Sequence, residues 1–389
     1  MWTIIFCVFS IVYMIPTYFK TIGPIYMAYE YVLPIISIPI SFYCILKSRK
    51  RIIQLLMFFF YFWIVISTII HNGEVIDSIK TALTAIGYIS LVGYVFQQKN
   101  ANDYLNVLSG ILCCFAVLNL LTVVIFPKGL YLIYGYNEGY SNPAYVFGHR
   151  NNAIEYLLPL IGLVLYRDIC NGKKKAELIF VIAVSVITSL LTWSVNALLC
   201  LAFVIVSFLF LSFKKNLFFI RIPLLFLSSG IVSYLLIIKK IQTKYAYLIT
   251  SILHKDITLS SRSVLWENGI EWIKKSLVFG YGFESRDVFF QKIGHMSSCH
   301  NYFLDFMYFG GSVLVLVIVV ILILLSTNLA HYDNTIISRV SSIYGAYAIL
   351  WIATPVHRES LFIMFAFITI TVYLPFRKSK TNRGVFYDS

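Results

Sequence analysis

Long apolar blocks alternate along this chain with short basic runs. Crossing ~30 Å of hydrocarbon takes roughly 20 consecutive apolar residues in a helix. Blocks of about that length are found at 2–19, 25–46, 52–70, 79–96, 105–126, 153–169, 178–193, 195–213, 217–238, 301–325, 340–355 and 361–376. Composition agrees: 59% of residues are hydrophobic, 12% are charged and the mean hydropathy is +0.82. A soluble domain carries about 25% charged residues, so this chain lacks the polar surface to cover such a core. The fold class expected is all-α: a polytopic transmembrane bundle of about twelve spans, within a range of ten to twelve. The first block lacks a basic n-region and a small-residue cleavage site, and is read as the first span.

A net charge of +14 suggests nucleic acid until its distribution is considered. The positive residues sit between the apolar blocks, as topogenic loop charges do, and form no binding face. With the N-terminus inside, the inner segments hold seventeen Lys and Arg: 47–51, Lys99, Arg167 with 173–175, Lys214, Lys215, Arg221, Arg339 and 377–383. The short outer segments hold five: Lys20, Lys80, Lys128, Arg150 and Arg358. This bias predicts cytoplasmic termini. Six of the seven cysteines lie in or beside spans and only Cys299 falls in a large loop, so no disulfide framework is expected.

The spans divide the chain into membrane segments 1–126, 153–238 and 301–376, outer loops 127–152 and 239–300, and a cytoplasmic tail 377–389. Loops as long as these two are functional or disordered, and the second is not disordered in composition. Trp266, Ile270, Ile273 and Leu277 recur in it at helical spacing, with Glu267, Asn268, Glu271, Lys274 and Lys275 opposite. That pattern predicts an amphipathic helix, capped by Ser260 or Ser261 and ended at Gly280-Tyr-Gly282. The large outer loop is therefore expected to be partly helical.

Three stretches carry residues suited to chemistry. In GHRNN (148–152), Asn151 and Asn152 can cap the following helix, and Arg150 beside that positive terminus suits an anion. Glu155 can orient Arg150 or line the site independently. In SSRSVLWENG (260–269), Arg262 opens the amphipathic helix; the bland alternative is a solvated or snorkelling arginine. In CHNYFLDFMYFGG (299–311), His300 stands at a helix start, where a neutral imidazole can take a hydroxyl proton. The alternative there is an interfacial cap. Asn301 is its neighbour, and Asp305, about a turn further in, is a candidate by virtue of being ionisable within a span. Glu30 in the second span is a candidate cavity lining. His149 is expected to point away from Arg150. His357, Arg358 and Glu359 are read as a solvated turn able to rim a polar site, with Arg358 a candidate substrate contact. Gly280-Tyr-Gly282 is too short for a phosphate loop. CxxC, HExxH and Walker patterns are absent from the sequence, so no metal and no cofactor is expected.

These elements, in this order, resemble the O-antigen polymerase/ligase family, which includes Wzy-type polysaccharide polymerases and WaaL-type ligases. SSRSVLWENGIEWIKKSLVFGYGFE (260–284) is similar to the family's large outer-loop segment, where an arginine precedes a tryptophan and a later Gly-Tyr-Gly. CHNYFLDFMYFGG resembles its His-Asn helix start, with nine residues separating Asn301 from Gly311; Leu314 departs from the ligase pattern. GHRNNAIEYLLPL (148–160) occupies the place of the other arginine-bearing loop. The resemblance implies a metal-independent membrane glycosyltransferase of GT-C-like architecture, making O-antigen, capsule or exopolysaccharide. Its donor would be a glycan linked to a polyprenyl (undecaprenyl) pyrophosphate in the bacterial cytoplasmic membrane. His300 would be the base, Arg150 and Arg262 the leaving-group clamp. Asn151, Asn152, Glu155, Asn301, Asp305 and Arg358 would be substrate contacts. Besides membrane lipids, a chain-length regulator and a flippase would be its partners, and nucleic acid would not. Two other classes fit the hydropathy plan, a lipid-linked oligosaccharide transporter and a non-catalytic scaffold. The few deep charges (Glu30, Arg221) and the cluster at one face favour chemistry.

Overall fold

The computed structural model describes residues 2–48, 52–134, 141–172, 175–213, 221–245, 247, 262–294 and 298–374. The chain is mostly helical: α1 (Trp2–Tyr13), α2 (Gly23–Met27), α3 (Leu33–Lys47), α4 (Ile52–Ile70), α5 (Val75–Val95), α6 (Ala101–Ile125), α7 (Ala153–Asn171) and α8 (Lys175–Leu191). These are followed by α9 (Val195–Phe213), α10 (Ile222–Ile237), α11 (Arg262–Lys275), α12 (Arg286–Ile293), α13 (Tyr302–Leu329), α14 (Asn334–Ala353) and α15 (Arg358–Tyr373). A π-helical turn at Ala28–Val32 joins α2 to α3. Among the described residues, six helical stretches are long and apolar enough to cross a membrane: Gly23–Lys47, Ile52–Ile70, Val75–Val95, Ala101–Ile125, Tyr302–Leu329 and Asn334–Ala353. Shorter apolar helices lie at Val195–Leu211, Ile222–Ile237 and Ser360–Tyr373. Large apolar side chains face outward along them, Phe42 at 68% and Leu316 at 63% exposure. Such a surface needs lipid or a partner around it.

The bundle is held by α3 along α5, α9 along α14, and α4 against both α5 and α13. Its core includes Phe60, Tyr88, Trp351 and Phe365, each fully buried or nearly so. Several expectations change. The first helix ends at Tyr13, not residue 19, because Pro16 removes a donor and forces the preceding residue out of helical geometry. Residues 334–353 form one helix that starts earlier than the apolar block suggests. The all-α reading omits a small antiparallel sheet in the 127–152 loop, with strands β1 (Tyr131–Tyr134), β2 (Ser141–Tyr145) and β3 (Gly148–His149) in that spatial order.

In the large loop, α11 buries Trp266 and Ile273 of the expected face, and Gly269 beside them, while Ile270 is only partly buried. It stops at Lys275, however, and Leu277 is 53% exposed, beyond the helix. The expected caps Ser260 and Ser261 lie outside the described residues. Gly280-Tyr-Gly282 is a backbone dock. Tyr281 N–H donates to Tyr308 O at 2.6 Å, and Gly282 N–H to Phe309 O at 2.9 Å. The dock meets α13 at a kink, where Gly310 and Gly311 leave helical geometry. Gly311 (φ 62, ψ −159) occupies a region open essentially to glycine alone. A Cβ there would strike the Val278 carbonyl, and one on Gly282 would strike Thr68. The end of α4 closes the joint. Ser67 Oγ donates to Phe279 O at 2.6 Å and Trp63 Nε1 to Gly310 O at 2.9 Å.

Candidate functional site

The loops before α7 and α13 and between α14 and α15 meet at one end of the bundle, organised by two buried carboxylates. Asp305, on the first turn of α13, is fully buried. Its Oδ1 accepts from Cys299 N–H at 2.6 Å; its Oδ2 accepts from Ser298 Oγ at 2.6 Å and Val356 N–H at 3.1 Å. One carboxylate thus suspends the segment that ends in His300 and the segment that ends in His357. With both oxygens engaged by protein donors, Asp305 acts as a tether.

His300 stands on that tether. Its N–H donates to Ser298 Oγ at 2.8 Å and its φ is +56. A histidine enters this left-handed region more readily than most residues, at a cost of order 1 kcal/mol. The sharp turn lets the chain pass through an extended Asn301 directly into α13. Asn301 is the helix cap: its Oδ1 accepts from Leu304 N–H at 3.1 Å, while its Nδ2 donates to Ile352 O at 2.9 Å and Ser233 Oγ at 3.1 Å. Fully buried, it ties three helices together.

The second carboxylate, Glu155, is buried in the first turn of α7. It does not orient Arg150. Instead it accepts from His357 Nδ1 at 2.9 Å, with its other oxygen at 3.2 Å. His357 is therefore half-buried in a carboxylate–imidazole pair, where the sequence suggested a solvated turn. The next residue, Arg358, opens α15 with its side chain outside the described residues. Tyr302 adds a hydroxyl contact to Ser360 at 3.2 Å.

His149 also belongs to this cluster. Two overlapping turns, Asn152 N–H to His149 O and Glu155 N–H to Asn152 O, stack it beside the start of α7. Its Nδ1 accepts from Asn151 N–H at 3.4 Å, which requires that nitrogen to be unprotonated. Burial, then the nearby charges of Arg150 and His357, pull its pKa down to about 4. Asn152 holds the cap position without a side-chain cap bond, and Asn151 Oδ1 accepts from Ser194 Oγ at 3.0 Å, so neither caps α7 as expected. Arg150 is exposed beside them. It has no hydrogen-bond or ionic partner among the described residues.

Arg262 reaches the same region from α11. It shares the helix face of Trp266, Gly269 and Ile273, and Gly269 packs on Cys299, the residue before His300. Burial works against its charge, lowering its pKa from the ordinary arginine value. It too is without a hydrogen-bond or ionic partner among the described residues, so an incoming anion would relieve that cost. The structure records no direct contact of Arg262 with His300 or Arg150. Glu30 is separate: it pairs with Lys80 at 2.7 Å, in a cleft lined also by Tyr29, Pro34, Thr81 and Phe362.

Fold and site together define a helical membrane protein whose loops gather histidines, and arginines without a partner among the described residues, at one end of the bundle. Residues 179–319 match the family model described as O-antigen ligase, which supports membership of the O-antigen ligase/polymerase family. The matched stretch holds Arg262, His300, Asn301, Asp305 and Gly311; Arg150, Glu155 and His357 lie outside it. No curated protein and no solved structure matches the chain.

Proposed function

We propose that the protein is a polysaccharide polymerase. It transfers a glycan from polyprenyl pyrophosphate to a sugar hydroxyl of another lipid-linked repeat unit, at the outer face of the bacterial cytoplasmic membrane. The observation that carries this reading is the family match over the stretch that holds both Arg262 and the His300–Gly311 segment. In the reaction the acceptor oxygen bonds to the donor's anomeric carbon. The bond from that carbon to the pyrophosphate oxygen breaks, its electron pair leaving with the pyrophosphate, and the acceptor proton passes to His300. Arg150 and Arg262 hold the departing anion, where guanidinium geometry suits phosphate oxygens. Arginines and helix N-termini supply the charge, in a metal-independent mechanism. A plan of about twelve spans with both termini inside, read from the apolar blocks and the loop charges, would put these groups outside.

The description of the matched family favours a second reading, a ligase that delivers the same donor glycan to lipid A core. Purified protein given a synthetic polyprenyl-pyrophosphate oligosaccharide separates the two. A ladder of lengthened lipid-linked products supports the polymerase, and product only when lipid A core is added supports the ligase. With neither product, a transporter or scaffold is left. His300→Ala in well-inserted protein is expected to lower turnover by roughly 10²–10⁴-fold; full polymer length and yield would remove the base assignment.

A further inference from the structure

We propose that His357, held by the buried carboxylate of Glu155, is a further cationic group for the pyrophosphate, with His149 beside it as a neutral hydrogen-bond donor. The proposal rests on the glycosyl-transfer reading for its ligand and on the structure for its residues. The short contact from Glu155 to His357 Nδ1 fixes that nitrogen as the one bearing hydrogen. Nε2 is then the imidazole's other donor whenever the ring is charged. A buried carboxylate at 2.9 Å supplies the counter-charge an imidazolium needs in a place poor in water.

His149 has the opposite arrangement. Its Nδ1 accepts from Asn151 N–H, so Nε2 carries the proton and can donate without bringing charge. The stacked turns 149–152 and 152–155 put His149, Arg150 and the Glu155–His357 pair around one helix start, where backbone N–H groups add to the same field. Among the described residues His357 pairs with Glu155 on α7, and its charge bears on His149 in the turn before that helix, as does Arg150 beside it. On α13, Asp305 holds the neighbouring Val356 N–H and Tyr302 contacts Ser360, and Arg358 and Glu359 follow His357 in sequence. This set gives the leaving group one permanent cation in Arg150, one titratable cation in His357 and one neutral donor in His149.

The test is equilibrium binding of undecaprenyl pyrophosphate to the full chain in lipid discs, between pH 5.5 and 8, with undecaprenol as the tail-only control. The probe's own titration is common to all variants, so the difference between profiles is the readout. Binding to the wild type is expected to weaken as pH rises and the imidazolium is lost. His357→Gln is expected to bind about tenfold more weakly at low pH, on the scale of one lost charged hydrogen bond, and to flatten the profile. Glu155→Gln, which removes the counter-charge, is expected to flatten it likewise. His149→Gln is expected to lose a few-fold in affinity while keeping the wild-type slope. His357→Arg, a permanent cation, is expected to bind tightly and independently of pH, and it serves where the glutamine variant fails to fold. A His357→Gln or His357→Arg profile that superimposes on the wild type overturns the proposal. Retained pH-dependent binding in a protein that makes no glycan product would instead sink the transfer reading and leave the site standing.

Discussion

The two ends of the helical bundle treat arginine in opposite ways. Away from the site, Arg167 pairs with Glu177 and donates to Ser109 Oγ at 2.9 Å, and Arg339 lies 3.7 Å from the buried Asp168. At the site end the lysines are the ones neutralised: Lys80 by Glu30 and Asp77, Lys240 by Glu267, Lys292 by Glu284. Arg150 and Arg262 have no acidic partner there among the described residues, while the nearest buried carboxylates are committed to backbone N–H groups and to His357. A charge already neutralised holds the fold together, and one without a partner is available to an anion. The contrast separates arginines that build the protein from arginines that can act on a ligand, which a count of positive residues does not.

Reversing charge at the site end should produce the largest effect. Arg150→Glu and Arg262→Glu are each expected to cost roughly 10²–10³ in turnover, the scale for removing one charge-stabilising donor. Unchanged binding of undecaprenyl pyrophosphate in both variants would break the contrast. Next in size is Gly311→Ala, which places a side chain in a glycine-only conformation against Val278 O. A loss of about 1–3 kcal/mol from backbone strain alone is expected, read as a lower thermal midpoint in detergent. A smaller, pH-dependent effect belongs to His149. Its pKa is depressed from 6.5 to about 4 in the fold, so the unfolded chain binds more protons between those values. Stability falls as pH drops through that window, and His149→Gln is expected to shrink the fall; an unaltered pH–stability curve would place His149 in a wetter site. The smallest effect is at the other end. Arg339→Gln, at a side chain 38% exposed, is expected to shift stability by less than about 1 kcal/mol and leave turnover unchanged. A large loss of activity there would show that the far end is not merely structural.

Local patterns were legible in the sequence and long-range pairings were not. Each apolar block contains a helix, and the spacing of Trp266 and Ile273 identified the buried face of α11. Leu277 continued that spacing and yet lies outside the helix, because periodicity cannot register that the chain turns away to dock on α13. Asn301 and Asp305 stood out as polar residues at a span boundary, but only the partners Val356, Ile352 and Ser233 show that they are tethers. Glu155 and His357 are 202 residues apart, and nothing near either announces the other. Their residue types did carry a signal: a carboxylate just inside one helix and a histidine just before another are groups that seek a partner when buried. Gly280-Tyr-Gly282 was judged on its length alone, and its use as a backbone dock needed the α13 kink to be seen.

The contact between Gly269 and Cys299 sets up a covalent latch. A Cβ at position 269 would lie 3.7 Å from the Cys299 Cβ, close to the ~3.8 Å mean of disulfide-bonded pairs. Gly269→Cys therefore stands in a position to be oxidised onto Cys299, fastening α11, and Arg262 with it, to the residue beside His300. Reducing agent would undo the fastening. An oxidised enzyme that still turns over would show that arginine and histidine work from a single rigid frame. One that recovers only when reduced would show that α11 must swing away for substrate to enter or product to leave.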